Sequence, residues 1–453
     1  MIALLQPGQR LRCVSSDVEC RVEKRHGGGG QGEVYRVTAR GERHALKWYN
    51  DAMLGADPLL RARLEAAIRS RAPSPRFLWP TELVTLPDGS RLGYLMPERN
   101  ASYRSLHELI TSSGDDWPSF RVLTTVALNL ADAFLQLHAT GFSYQDVSPG
   151  NVFFDPGSGD IQIADNDNVD VDGRPSVMGG TREYQAPELV EQTAGPSRAT
   201  DLHALAVLLF RVLLVDHPLV GSRDLRIRNA ASREATRILF GREALFVFDP
   251  DDRSNGPIPE RHAALSALWP ALPQHVRDLF TRAFTSGLRD PAHGRVQEGE
   301  WRRAMAQLRD AILLCPRCGY ESFYDPRRVA LREATFRCWN PECGAELPAA
   351  APRIGLRADR AARGPASEPP QSVVVLTPGT RLYPHHLLGR DYDFSAPLAE
   401  VTGAPLALRN LSRAAWTVVG AAERRESIEP GASARLEART RIQFGRTEGE
   451  VKM

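Results

Sequence analysis

Lysine is nearly absent from this 453-residue sequence, which has only Lys24, Lys47 and Lys452, while arginine fills the other basic positions. Where arginine serves at nearly every basic position, a lysine at a strand end such as Lys47 marks a place that requires a compact ammonium and would fit a planar guanidinium badly. Charge of either sign is also missing in excess. The 57 basic and 55 acidic residues leave a net +2, so no strong field points to nucleic acid. No apolar run of about 18 residues stands out, and no membrane span is expected. The opening MIALLQPGQR has a short apolar run cut by Pro7, a poor export signal. Six cysteines are too few for a secreted disulfide scaffold of this length, and four of them fall into two close pairs. No internal repeat is visible. A cytoplasmic chain with neither membrane nor nucleic acid as partner is expected, and 42% hydrophobic residues suffice for several cores.

Residues 10–98 read as short strands, among them EVYRVTA and RHALKWYN, with a glycine-rich turn and one helix, PLLRARLEAAIRSRA. From about residue 118 longer amphipathic helices take over, beginning with SFRVLTTVALNLADAFLQLHATG, which stops at Gly141. DLHALAVLLFRVLLV is apolar on nearly all sides and should be a buried helix. The expected class is α+β, a β-rich small lobe before a helical large lobe.

HGGGGQGEVYRV sets Gly27, Gly29 and Gly32 between two strands, where backbone N–H groups can turn toward phosphate oxygens. Thirteen residues past Val34, Lys47 ends the next strand, and Glu65 follows eighteen residues later on the predicted helix. GFSYQDVSPGNVFF holds Asp146 and Asn151 five apart in a polar break, and IQIAD brings Asp165 fourteen residues after Asn151. Each residue alone has an ordinary explanation as a hairpin glycine, a strand-end lysine or a turn aspartate.

In combination these motifs resemble the protein kinase family over about residues 12–312, with an N-lobe at 12–98 and a C-lobe at 99–312. The resemblance implies a bilobal fold and ATP and Mg²⁺ as cofactors. Gly27, Gly29, Gly32, Val34, Ala45, Met96 and Glu98 would surround the nucleotide, and a Lys47–Glu65 ion pair would position its phosphates. Asp146 would orient the attacking hydroxyl, and Asn151 and Asp165 would hold the metal. The usual HRD and DFG triplets read YQD (144–146) and DND (165–167) here, and Ser148 stands in place of the loop lysine. Ser148 also fits small-molecule kinases of the aminoglycoside and choline type, and the altered triplets leave room for a weakly catalytic pseudokinase scaffold. GGTREYQAPEL decides for a protein substrate, because Thr181, Glu188 and a distant Arg295 resemble the family's peptide-receiving segment. Asp201 resembles the aspartate that steadies the catalytic loop. The implied activity is serine/threonine protein kinase, with a protein as substrate; some bacterial kinases that it resembles have a metal-dependent phosphatase or a von Willebrand-type domain protein as companion, which makes such proteins candidate partners.

Downstream, Cys315-x₂-Cys318 and Cys338-x₄-Cys343 each end in Cys-Gly and can place four thiolates around one structural Zn²⁺. A zinc ribbon is expected at 313–348, an Ala/Arg/Pro-rich linker at 349–372 and a small β-sandwich at 373–453. The last resembles a forkhead-associated (FHA) domain through Gly389-Arg390 and Ser395, without that family's following histidine or Asn-Gly pair. His385 and His386 are expected to be packed or surface residues, and Cys13 and Cys20 ordinary thiols.

Overall fold

The computed structural model describes residues 4–112, 117–173, 180–227, 229, 232–326, 328, 337–348, 350–358, 372–389, 392–403, 405–420 and 423–453. The chain divides into two compact units. The first comprises Met1–Pro118, Val122–Leu265 and Asp278–Arg302; the second comprises Ser119–Arg121, Ser266–Arg277 and Arg303–Met453.

In the first unit, β1 (Arg10–Cys13), β2 (Glu19–Gly28), β3 (Gly32–Ala39), β4 (Glu42–Tyr49), β5 (Glu82–Thr85) and β6 (Leu92–Met96) close into a barrel of order β1-β2-β3-β4-β6-β5. Side chains on a strand alternate between faces. On β4 this sends Leu46 and Trp48 into the barrel core with Val22, Tyr35 and Val37. Ala45 and Tyr49 face the other way, toward Leu60 and Leu64 of helix α2 (Leu60–Ser70). Lys47 shares that second face. A shorter helix, α1 (Asp51–Ala56), precedes α2 and is capped by the Asn50 side chain.

The helical lobe begins with α3 (Leu106–Thr111) and α4 (Phe120–Ala139). By length and mean hydropathy α4 could cross a bilayer, contrary to the expectation of no such segment, but 83% of that stretch is buried inside the fold. The helix Arg198–Leu214 starts in a reciprocal Ser197–Thr200 cap and is buried along almost all its length, as its all-round apolar sequence requires. Its Phe210 meets Phe280 edge-on, and Phe280 packs tilted against Trp301, with ring centroids 5.2 and 4.7 Å apart.

In the second unit, strands Ile312–Leu314 and Glu321–Phe323 form the hairpin that carries the first cysteine pair. The packing boundary between units falls inside the helix Glu298–Asp310, not after residue 312. Two antiparallel sheets follow, one of six strands and one of four, around a core of Ile354, Leu382, Val401, Leu408, Trp416 and Ile442. The expected linker is corrected here. Arg353–Ala358 is a strand inside the six-stranded sheet, paired with Ser372–Val375 on one side and Thr447–Lys452 on the other. Its alternating RIGLRA pattern supplies Ile354 and Leu356 to the core, so the sandwich starts before residue 373. The rest of the predicted linker, 359–371, and Arg390 of the FHA-like motif lie outside the described residues. His386 is packed, as expected: its Nε2 lies 3.0 Å from Asp310 Oδ2 and its Nδ1 accepts the Tyr383 N–H.

Candidate active site

The Gly27–Gly32 segment turns between β2 and β3 over a cavity of about 750 Å³. Gly27, Gly29, Gly32, Val34, Ala45, Lys47, Met96, Glu98, Asn151 and Asp165 all line it. A β-carbon on Gly27 or Gly29 would meet nothing within 4 Å, so their backbone is open to a ligand. At Gly32 the reason for glycine is different, since a β-carbon would lie 2.1 Å from the Trp48 carbonyl oxygen. Glu98 follows Met96, which pairs with Ala45 across β4 and β6. Its carboxylate is taken up by Arg36 at 2.5 Å and His26 at 2.9 Å, so what it offers a ligand is its backbone. Burial raises the Glu98 pKa, but Arg36 and His26 outweigh it and hold the group below the usual carboxylate range.

Lys47 is 4% exposed. Its ammonium lies 2.9 Å from Asp167, 3.4 Å from Asp165 and 2.6 Å from Gln31 Oε1. Burial disfavours the charged lysine, yet Asp167 and Asp165 overcome that and raise its pKa. The expected Lys47–Glu65 pair does not form. Glu65 lies half-exposed on α2 and pairs with Arg61 one turn away at 3.1 Å. The residue of α2 that reaches the cleft is Arg63, whose Nε donates to the Asp167 carbonyl at 3.0 Å and whose Nη2 meets Asp57 at 2.7 Å. Two positions along a helix is about 200° around its axis, which turns Glu65 away when Arg63 faces in.

Asp146 and Asn151 sit in one tight loop. Asn151 Nδ2 donates to the Asp146 carbonyl at 3.0 Å and lies 3.4 Å from its carboxylate. Asp146 Oδ1 accepts from both the N–H and the hydroxyl of Thr181, at 2.8 and 3.0 Å. Ser148 is buried and opens the single turn Pro149–Asn151. Asp201 holds the loop from beneath, its carboxylate accepting the Tyr144 and Gln145 N–H groups at 2.5 and 3.0 Å. Gln145 pays for this clamp with φ of 73°, in the left-handed region. Asp201 is itself oriented by His138, whose other nitrogen bonds Glu298. Arg295 and Glu188 form a buried fork of two 2.7 Å bonds. Asp165 leaves β-strand Ile161–Ile163 with φ of 53° and turns its carboxylate toward Lys47. Burial raises its pKa against the pull of Lys47, and the charges of Asp167 and Asp146 add to the rise.

Residues 20–254, just over half of the sequence, match the family described as the protein kinase domain. The chain belongs to the protein kinase domain family. Among curated proteins, the DNA damage-responsive serine/threonine-protein kinase RqkA of Deinococcus radiodurans is 30% identical over 209 residues, covering 44% of this chain and 30% of RqkA. CBL-interacting protein kinase 4 of Oryza sativa is 36% identical over 98 residues, 20% of this chain and 21% of that protein. The chain thus spans between a fifth and a third of the length of these relatives. The crystal structure of the Mycobacterium tuberculosis PknI kinase domain aligns over 67% of this chain and 98% of its own, at 21% identity and a TM-score of 0.44.

The residue of this kinase domain that sequence reasoning passed over is Asp167. Its position in the DND triplet was visible, but its partners Lys47, Tyr49 and Tyr94 are more than 70 residues away and no local pattern joins them.

The two cysteine pairs converge in the second unit. Cys315, Cys318, Cys338 and Cys343 offer sulfurs all within 4.8 Å of one another, with Cys315–Cys343 at 3.8 Å and Cys318–Cys338 at 3.6 Å. Burial opposes ionisation of Cys315, but the N–H groups of Cys318 and Arg317 outweigh it and bring its thiol down to about 7.

Proposed function

We propose that this chain is an ATP- and Mg²⁺-dependent serine/threonine protein kinase with a structural zinc site and a C-terminal interaction module, working in the cytoplasm. The observation that carries the proposal is the meeting of Lys47, Asn151 and Asp165 on one cavity, with Asp146 bonded to Asn151 at its edge. A volume of about 750 Å³ lies within the range of small-molecule sites and accommodates a nucleotide. Asn151 and Asp165 provide the oxygen donors that Mg²⁺ prefers, and a bound Mg²⁺ would neutralise charge on the transferring phosphates. Lys47 supplies a fixed positive charge at the cavity wall. Asp146 has Oδ1 held by Thr181, and its Oδ2, which the Asn151 amide approaches only at 3.4 Å, would accept a hydrogen bond from the attacking hydroxyl.

A protein rather than a small molecule as acceptor is supported by the Thr181 bonds to Asp146 and by the Glu188–Arg295 fork, which fix the segment beside the catalytic loop. Serine and threonine as acceptors follow from the relatives named as serine/threonine kinases. For the cysteine cluster, four sulfurs about 2.3 Å from a central zinc lie about 3.8 Å apart along tetrahedral edges, close to the 3.8 and 3.6 Å observed here. The phosphatase and von Willebrand-type companions rest on the family resemblance alone.

The test is incubation of the full chain with γ-labelled ATP, beside an Asp146→Asn variant. Label in a protein that the variant cannot produce supports the reading. Transfer only to added aminoglycoside or choline moves the chain to the small-molecule kinases, and nucleotide binding without transfer makes it a scaffold.

A further inference from the structure

The cleft contains a carboxylate for which the expected protein kinase machinery has no role. Asp167, two residues after the metal-facing aspartate, has a side chain only 1% exposed and lies against the ammonium of Lys47. Both of its oxygens are used. Oδ1 accepts from Lys47 at 2.9 Å and from the Tyr94 hydroxyl at 3.2 Å, and Oδ2 accepts from the Tyr49 hydroxyl at 2.6 Å. Lys47 and Tyr49 project from the same face of β4, and Tyr94 pairs with Lys47 across the sheet from β6. Two adjacent strands thus build a closed set of donors around one anion.

From these contacts we infer that Asp167 is the positioning residue of Lys47, taking the part that a helix carboxylate was expected to play. The inference rests on the kinase reading and deepens it. Three observations separate Asp167 from the alternatives. Glu65 is committed to Arg61 and sits on another face of α2. A metal-ligand role for Asp167 is disfavoured because its oxygens are occupied by a lysine and two phenols, whereas the Asp165 side chain is 38% exposed to the cleft. Finally, Arg63 ties α2 to the main chain of Asp167 and so joins the helix to the carboxylate's loop without passing through Lys47. The consequence is mechanistic. In this arrangement the lysine is fixed by the strand-loop network, and a displacement of α2 that breaks no Arg63 contact leaves it in place.

The test uses the full chain with Asp167→Asn, Glu65→Gln, Lys47→Met and the double variant Lys47→Met/Asp167→Asn. Three readouts are taken: transfer from labelled ATP, dissociation constant for a non-hydrolysable ATP analogue, and thermal transition. Loss of a charge-assisted hydrogen bond to a buried lysine is expected to weaken analogue binding and kcat/KM by about 10- to 100-fold in Asp167→Asn. Glu65→Gln is expected within about twofold of the unsubstituted chain, the scatter of an ordinary surface substitution. The double variant is expected to match Lys47→Met, because a residue acting through the lysine has nothing left to act on. A merely structural aspartate would add a further loss. If Asp167→Asn loses its thermal transition, Glu65→Gln decides: near-unchanged binding upholds the inference, and a tenfold or greater loss overturns it. Should the unsubstituted chain show no Asp146-dependent transfer, the kinase reading fails, while analogue binding still reports on Asp167.

Discussion

A change of Glu298 to glutamine removes one end of a buried charged chain that runs from the catalytic loop to the last helix of the first unit. His138 lies between Asp201, 3.1 Å away, and Glu298, and all three side chains are 2% exposed or less. Burial lowers the pKa of His138, but its hydrogen bonds and charges with Asp201 and Glu298 outweigh burial and raise it from 6.5 to about 9. From the other end, burial raises Glu298, and His138 and Arg198 more than offset this, bringing it from 4.5 to about 2. Each change corresponds to about 3 kcal/mol, and because both describe the same contact they are not to be added. The signs differ. His138 contributes stability that is complete below about pH 6.5 and is lost as pH rises through about 9; Glu298 contributes stability that is complete above about pH 4.5 and is lost as pH falls toward about 2. The assay is calorimetric melting of the full chain from pH 6 to 9.5, following the transition that ATP analogue raises. The unsubstituted protein should lose about 3 kcal/mol across that range, whereas Glu298→Gln, which keeps only the Asp201 partner of His138, should start lower and lose less. Parallel pH profiles for the two proteins would refute the charged-histidine account.

Three further outcomes follow from the same geometry. Glu188→Gln leaves Arg295 as a nearly buried guanidinium without its anion and should cost about 3–5 kcal/mol, read as a lower melting transition. Gly32→Ala forces a methyl toward the Trp48 carbonyl and should cost about 1–3 kcal/mol, with weaker analogue binding in a titration, since the turn itself must shift. The second unit should carry one zinc per chain by metal analysis. Chelation or Cys338→Ser should abolish that zinc and destabilise the small core of Leu313, Tyr324 and Leu347, so a metal-free protein with an unchanged melting profile would exclude a structural zinc.

The cleft was legible where chemistry fixes both residue type and spacing. Lysine in an arginine-rich chain, and an aspartate, an asparagine and a second aspartate at fixed intervals, identify themselves from sequence, as do the Cys-x₂-Cys and Cys-x₄-Cys knuckles. What could not be read was orientation. The sequence around Glu65 predicts a helix correctly, but which of Arg63 and Glu65 turns inward depends on how α2 packs on β4 and β6. Arg353–Ala358 was hidden for a related reason. Its flanks are Ala- and Pro-rich, and its main partner strand lies 89 to 99 residues downstream at Thr447–Lys452. The Glu188–Arg295 fork spans 107 residues, a longer separation, yet was foreseen, because the family resemblance supplied the pairing that local pattern could not.

The central claim, a single nucleotide cleft around Lys47, is tested most directly by acylating the full chain with an ATP-derived acyl phosphate and reading the modified lysines by peptide mass spectrometry. Only three lysines compete for the reagent, and Lys452, at the far end of the sequence, serves as the internal control. The account predicts label at Lys47 that excess ATP suppresses, with labelling of Lys452 unaffected. Labelling of Lys47 that is indifferent to ATP, or suppressed equally at Lys452, would contradict it.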